Sequence, residues 1–329
     1  MKQFAFQPRM KTANTFFSSA SASSGWMLLM LCLILLVSTS AIAQVKFDPV
    51  NPDRSEKTVK KLITAKLDDL KKNNVKKVVI FSCKGEFVLS KTVAPDAFVN
   101  VDVPEYKREE FTRREGSRIL DQLYCVDMTT RLLDSVVALF NNAGIEVVAP
   151  EVWQQHPVYQ EMLKIMLTQD ADEASSYNAW TTMKTTVRTL TVPAFGYRLE
   201  PENILKMLKY VKISTQDKGK ILEDNNAQAF CNIHLKVDGL NPKPNLSGLQ
   251  LMFETGLKKY DSGQKDKEGN KKYVYSLASF PQIYMTDILE YPISSVKDGR
   301  LNPDLFDLAL QQMQTYVLSL FKDKITATE

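Results

Sequence analysis

The chain has 329 residues, 44% hydrophobic and 24% charged, with twelve glycines and fourteen prolines. These are ordinary globular values, which exclude disorder and leave room for one large domain or two small ones. The formal charge of +4, from 42 basic and 38 acidic residues, is too small to argue for nucleic acid or an anionic membrane, and its main source lies at the N-terminus.

Trp26 to Val37 is a run of twelve apolar residues without a charge. As a helix it spans about 18 Å, short of the roughly 30 Å bilayer core. Lys2, Arg9 and Lys11 precede it, no acid occurs before Asp48, and Ala41-Ile42-Ala43 stands before Gln44. A basic region, a short apolar region and a small-residue site read as a secretory signal peptide over 1–43, cleaved between Ala43 and Gln44. The alternative is an uncleaved anchor. The long basic region also permits a start at Met10. Cleavage removes three basic residues and no acid, leaving 39 against 38 in 286 residues. It also removes Cys32, a poor lipidation site because Leu31 precedes it. Cys83, Cys125 and Cys231 remain, an odd number that allows at most one internal disulfide. Each falls beside or on an apolar face, so buried thiols are expected.

Residues 44–53 read as an extended lead, and Arg54 to Asn74 as an amphipathic helix with Val59, Leu62, Ile63, Leu67 and Leu70 on one face. Val75 to Phe81 reads as a central strand. Phe87 to Leu89 is a candidate hairpin arm, and alternation at Val99, Val101 and Val103 predicts another strand. Thr112 and Glu115 have capping-box spacing ahead of a long helix, 117–142. Ile119, Leu123, Val126, Leu133, Val136, Val137 and Phe140 form its predicted face, with Cys125 and Leu132 at the edge. Gly144 ends it, and Ile145 to Ala149 is a strand. Pro157 opens a further helix. Ala171 to Asn178, acidic and serine-rich, reads as a loop, and Thr185 to Val192 as a strand. Pro201 opens a helix with Ile204, Leu205, Leu208 and Val211 on one side, and a short helix holds Ile221 and Leu222. Ala229 to Val237 alternates with period two. Leu249 to Leu257 and Lys272 to Phe280 are strands joined by the charged tip Asp261 to Asn270, whose charges discourage edge pairing. Pro303 opens a final helix with Leu305, Phe306, Ala309, Leu310, Met313, Tyr316, Val317, Leu320 and Phe321 on one face.

The order α-β-β-α-β-α-β-α-β-β-β-α predicts an α/β (mixed α+β) fold. A central mixed β-sheet carries packed helices, with a C-terminal β-meander and a final amphipathic helix. The predicted organisation is the signal peptide 1–43, a lead and helix over 44–74, and a single mixed α/β domain over 75–329.

Chemistry-bearing motifs are sparse. Zinc-binding, redox, nucleophile-elbow and phosphate- or dinucleotide-cradling patterns are absent. The two histidines, His156 and His234, have no ligand-spaced neighbours. No catalytic, cofactor or metal residue is therefore assigned. Carboxylate pairs remain: Asp170, Asp172 and Glu173 cluster, and Asp121 and Asp127 share a helix. A glycosidase needs only two such groups about 5 to 9 Å apart, but solvated loop acids and a polar helix face are the favoured reading. Pro193 to Arg198 mixes aromatics, glycine and arginine after a strand end, which makes Phe195, Tyr197 and Arg198 the candidate binding residues; the alternative is a tight turn whose Phe195 and Tyr197 cover the sheet edge. The basic runs alternate with acids and lack aromatic interleaving, so no nucleic acid is expected.

Val78 to Phe81, the helix 117–142, Gly144 to Glu151, Ile221 to Phe230, the hairpin 249–280 and the last helix follow one another in a layout that resembles the CsgG-like and TolB N-terminal-like domains of bacterial envelope proteins. The resemblance covers roughly 75–322 and implies an anticodon-binding-domain-like α/β fold and a soluble accessory or interaction role in the envelope. No lipid-anchor cysteine follows the signal, and strands 249–257 and 272–280 carry no lipid-facing band, so a channel is not implied. The expectation is an exported, periplasmic or secreted, non-enzymatic protein that binds other envelope proteins or cell-wall material, without a transmembrane segment after cleavage. The alternatives are a hydrolase of glycan or peptide using a carboxylate pair, and a small-ligand binder using 193–198.

Overall fold

The computed structural model describes residues 44–47, 62–95, 113–116, 120–178, 183–201, 203–240, 243–265, 269, 271–297 and 300–327. The chain runs through β1 (Gln44–Lys46), β2 (Ile63–Lys66), α1 (Asp68–Lys72), β3 (Lys77–Pro95) and β4 (Arg113–Gly116). Then follow α2 (Gln122–Asn142), β5 (Glu146–Val147), α3 (Pro150–Trp153), α4 (Pro157–Leu163), β6 (Asp170–Asn178) and β7 (Met183–Pro193). Next come α5 (Ile204–Gln216), α6 (Gly219–Asp224), β8 (Ala229–Asp238), β9 (Asn245–Lys265) and β10 (Lys271–Ser279). The last elements are β11 (Gln282–Met285), β12 (Ile288–Glu290), the small pair β13 (Val296–Lys297) and β14 (Arg300–Leu301), and α7 (Pro303–Thr326).

One mixed sheet holds most strands, with the order β1-β12-β9-β8-β3-β7-β6. β3 pairs in parallel with β8 and β5, and antiparallel with β7 and β4. The fold is thus α/β, with a meander from β8 through β10 and a closing helix. β1 and β2 are part of the same sheet, on β12 and β11.

The side-chain pattern explains the layers. Val78, Val79, Ile80 and Phe81 are all buried, as a continuous apolar run must be when both sheet faces are covered. A register shift between Ile80 and Ser82 re-phases the strand. From there Cys83 and Phe87 point into the core, while Lys84 and Glu86 lie half-exposed. β8 keeps the same alternation, with Ile233, Leu235 and Val237 buried.

α2 and α7 complete the core. Asp121 caps α2 by accepting from Tyr124 N at 2.8 Å. Gly144 (φ 72°) closes it, with Gly144 N to Asn141 O at 3.2 Å and Ile145 N to Phe140 O at 2.9 Å, a Schellman motif. Asn302 caps α7. The Arg131 guanidinium grips Asp307 with two bonds of 3.0 and 2.7 Å, and Tyr124 Oη donates to the same carboxylate. That bidentate pairing locks α2 to α7. Gly85 lets α2 sit close, because a Cβ there would lie 2.4 Å from Thr129 Oγ1.

Five expectations need correction. Of the helix expected over 54–74, residues from 62 on are described, and Ile63–Lys66 is strand β2. Pairing with β11 suits β-branched Ile63 and Thr64, and only Asp68–Lys72 is helical in α1. The capping box at Thr112–Glu115 starts no helix, since Arg113–Gly116 pairs with Ser90–Val93 and the cap is Asp121. The stretch Ala171–Asn178 is strand, not loop: β7 satisfies its backbone residue by residue. Phe87–Leu89 continues β3 rather than forming a separate arm. The buried stripe of α2 is also turned toward Cys125, Met128, Leu132 and Leu139, leaving Leu123 exposed, because α2 packs against both the sheet and α7. Val99, Val101, Val103, Ile119 and the segment 26–43 lie outside the described residues.

Candidate polar groove beside the helix layer

Prolines at the first turns of α3 and α4 start two short helices on the sheet face opposite α2. His156 caps α4, its Nδ1 accepting from Val158 N at 3.2 Å while Nε2 lies 3.0 Å from Asp224. These helices deliver Trp153 and Tyr159 onto Phe81, each 5.7 Å between centroids, and Phe81 meets Phe230 at 5.2 Å. Lys218, before α6, enters this aromatic layer. Its Nζ lies 4.0 Å from the Phe81 ring centre, 4.5 Å from that of Phe230 and 2.7 Å from Glu254 Oε1. Asn232 Nδ2 donates to the same oxygen at 2.7 Å, and Ser82 Oγ donates to Asn232 Oδ1 at 2.8 Å. A polar chain thus crosses β9, β8 and β3. Burial lowers the pKa of Lys218 against the opposing pull of Glu254.

Where the helices stop, this chain opens into a cavity of about 240 Å³. Lys84 and Arg198 bring positive charge, Asp170 and Glu200 negative charge, and Ser82, Thr191 and Tyr210 hydroxyls, with Met166 and Met207 as apolar walls. Tyr210 Oη donates to Glu200 at 3.4 Å, and burial pushes its phenol well up. Leu167 and Leu199 exchange backbone bonds of 2.9 and 2.8 Å that hold the rim.

Beyond the cavity the sheet face continues as polar side chains. Lys84, His234, Gln250 and Tyr284 are successive register partners across β3, β8, β9 and β11. In the next row Glu86 pairs with Lys236 at 3.1 Å, and His234 Nε2 approaches it at 3.2 Å without an aligned hydrogen bond. The His234 imidazole, then Lys236, hold the Glu86 carboxyl down to about 2 from 4.5. A depressed carboxylate stabilises the fold fully above its unfolded pKa and loses that contribution as pH falls from 4.5 toward 2. With Glu86 partly exposed, screening leaves about 1–2 kcal/mol. Acid titration of unfolding should show this slope in the parent and a flatter one in Glu86→Gln; equal slopes would remove Glu86 from the account.

The sequence-predicted binding residues separate. Arg198 lines the cavity, with Nη1 donating to Tyr197 O at 3.0 Å. Tyr197 is buried 6.2 Å from Trp153. Phe195 is 81% exposed on a turn whose backbone N donates to Thr130 Oγ1 at 2.9 Å. Of the acids, Asp170 lines the cavity, Asp172 is exposed, Asp121 is a helix cap and Asp127 pairs with Arg131. Sequence reasoning missed Ser82, Lys84, Glu200 and Tyr210; alternation across β3 is the signal that marks the first two. A larger hollow of about 800 Å³ lies between α6 and the β9–β10 ribbon. Its charges largely answer one another, Lys259 with Glu223 at 2.8 Å and Lys271 with Asp261 at 3.1 Å, so it is the weaker candidate.

Cys83, Cys125 and Cys231 are free and buried, and burial raises all three thiols, Cys125 to about 12. They are protonated at neutral pH and poor nucleophiles. Among the described residues, no group of three or more His, Cys, Asp or Glu converges to hold a metal, and no helix is long and apolar enough to cross a membrane. Fold and groove together define a mixed α/β protein with a polar sheet face beside its helix layer. No protein-family model, curated protein or solved structure matches the chain.

Proposed function

We propose that the chain is an exported, non-enzymatic envelope protein that binds other envelope proteins or cell-wall material, and that the groove favours the latter. One observation carries the reading: charges of both signs and three hydroxyls converge on a cavity that continues into a polar sheet face. Ligand sites combine walls of this kind with a few convergent polar groups, and stem peptides joined to glycan strands offer carboxylates, amines and hydroxyls together. Export rests on the 26–44 segment. Gln44 already pairs with Ile288, so cleavage before it leaves every described strand in place.

The test uses the chain from Gln44 on, which contains every described element, and purified peptidoglycan fragments. Lys84→Ala and Arg198→Ala should each weaken binding about tenfold with unchanged melting. Failure of the parent to bind any fragment overturns the proposal. A second reading, hydrolysis, is favoured by Asp170 and Glu200 sharing the cavity. Fragment cleavage lost in both Asp170→Asn and Glu200→Gln would establish it instead. N-terminal sequencing of the exported protein should begin at Gln44; an intact Trp26 segment in the membrane fraction would overturn the localisation.

A further inference from the structure

α5 is a regular helix held by its cap: Asn203 Oδ1 accepts from Leu205 N at 3.0 Å and Lys206 N at 3.4 Å. Its inward side is Tyr210 and Ile213, with Met207 half-buried. A water-facing helix should then turn polar residues outward. α5 instead turns out Ile204 and Leu205, each 77% exposed, Leu208 at 63% and Val211 at 46%. At 100° per residue these form one arc. Lys212 falls at the edge of this arc and Lys209 just beside it, while Lys206 lies on the side of Tyr210 and Ile213, and Ile204–Gln216 contains no acid. Among the described residues, the one ion pair from these lysines is Lys209 with Glu161, long at 3.7 Å and exposed at both ends.

We infer that α5 is a docking helix for an anionic phospholipid surface. The arc with its one-signed basic flank is what an interfacial helix presents to a bilayer, apolar side chains entering below the headgroups while lysine stems extend to the phosphates. A helix side is convex. A protein partner would need a matching apolar groove with an acidic rim, whereas a bilayer supplies apolar depth beneath negative charge without a preformed shape. Net charge gives no reason to expect this, since the basicity is local to one helix. The inner side of the same helix supplies Met207 and Tyr210 to the groove, so docking would hold the groove's wall at the membrane. The inference is independent of what the groove binds.

The test is co-sedimentation of the chain from Gln44 on with vesicles containing phosphatidylglycerol, against neutral phosphatidylcholine vesicles, without any wall ligand. Binding should require the anionic lipid and weaken with salt. Each of Lys209→Gln and Lys212→Gln should lower the partition coefficient roughly fivefold, and Leu208→Gln about tenfold, all three melting like the parent. Since Cys83, Cys125 and Cys231 are buried, Leu208→Cys can carry a polarity-sensitive dye, whose emission should shift to the blue on anionic vesicles. Absence of vesicle binding, or binding equal in the parent and Leu208→Gln, overturns the inference. Capture of an acidic protein through Leu208 without vesicle binding also overturns it and gives the arc to a protein partner. Loss of wall-fragment binding in the same variants is not expected, which separates a failure here from a failure of the groove.

Discussion

Lys218→Ala should destabilise the fold by about 3–5 kcal/mol, the range for removing one partner of a buried ion pair. The Lys218 side chain is only 4% exposed and sits 2.7 Å from Glu254, between the rings of Phe81 and Phe230. Truncation leaves the Glu254 carboxylate with Asn232 as its remaining donor, in a place where water reaches it poorly. Lys218→Met paired with Glu254→Gln should recover most of the loss, because the pair itself brings little net stability once desolvation is counted. The measurement is chemical unfolding of parent, single variants and the double variant. A single-variant loss below about 1 kcal/mol would show the pair to behave like an exposed one. A double variant no better than Lys218→Ala would show that the two charges do not act as a unit.

Central strands and long helices were legible because their signals are local. Val78 to Phe81 announced burial on both faces by being uniformly apolar, β8 announced one buried face by alternating, and Pro303 marked where α7 begins. β4, β6 and β2 were not legible. Arg113–Gly116 and Asp170–Asn178 are polar, with no hydrophobic period, and are strands only because β3 and β7 offer them hydrogen-bonding edges. Ile63–Lys66 carries helical spacing, and pairing with β11 overrides it.

The groove was half visible. Asn232, His234 and Lys236 stood on the polar phase of a strand, and Arg198, read as a binding candidate, lines the cavity. Glu200 and Tyr210 reach the same cavity as Ser82 and Lys84 only through the tertiary fold, which no local pattern encodes. Phe195 and Tyr197, two residues apart on one turn, end with opposite fates, one in solvent and one against Trp153. On α5 the apolar side was read correctly, but two apolar arcs compete for the core there. The sheet took Tyr210 and Ile213, leaving Leu208 and its neighbours outside.

Trp153→Ala should cost about 3–5 kcal/mol, the usual loss for emptying a buried large aromatic site. Trp153 is fully buried, 4.6 Å from Tyr159 and 5.7 Å from Phe81 between ring centres. α3 is four residues long, too short to persist without this anchor. Trp153→Phe separates packing from polarity. The indole Nε1 is buried without a protein hydrogen-bond partner, and an unpaired buried donor carries a penalty of about 1–3 kcal/mol. Removing that donor offsets part of the lost ring volume, so Trp153→Phe should lose less than about 2 kcal/mol. Thermal and chemical unfolding of the two variants decide the point. Equal losses would mean that the N–H is satisfied in solution. The consequence reaches the groove, because Tyr197, 6.2 Å from Trp153, holds the backbone that accepts from Arg198. Trp153→Ala should therefore weaken wall-fragment binding even at temperatures where the chain remains folded, while Trp153→Phe leaves it near that of the parent.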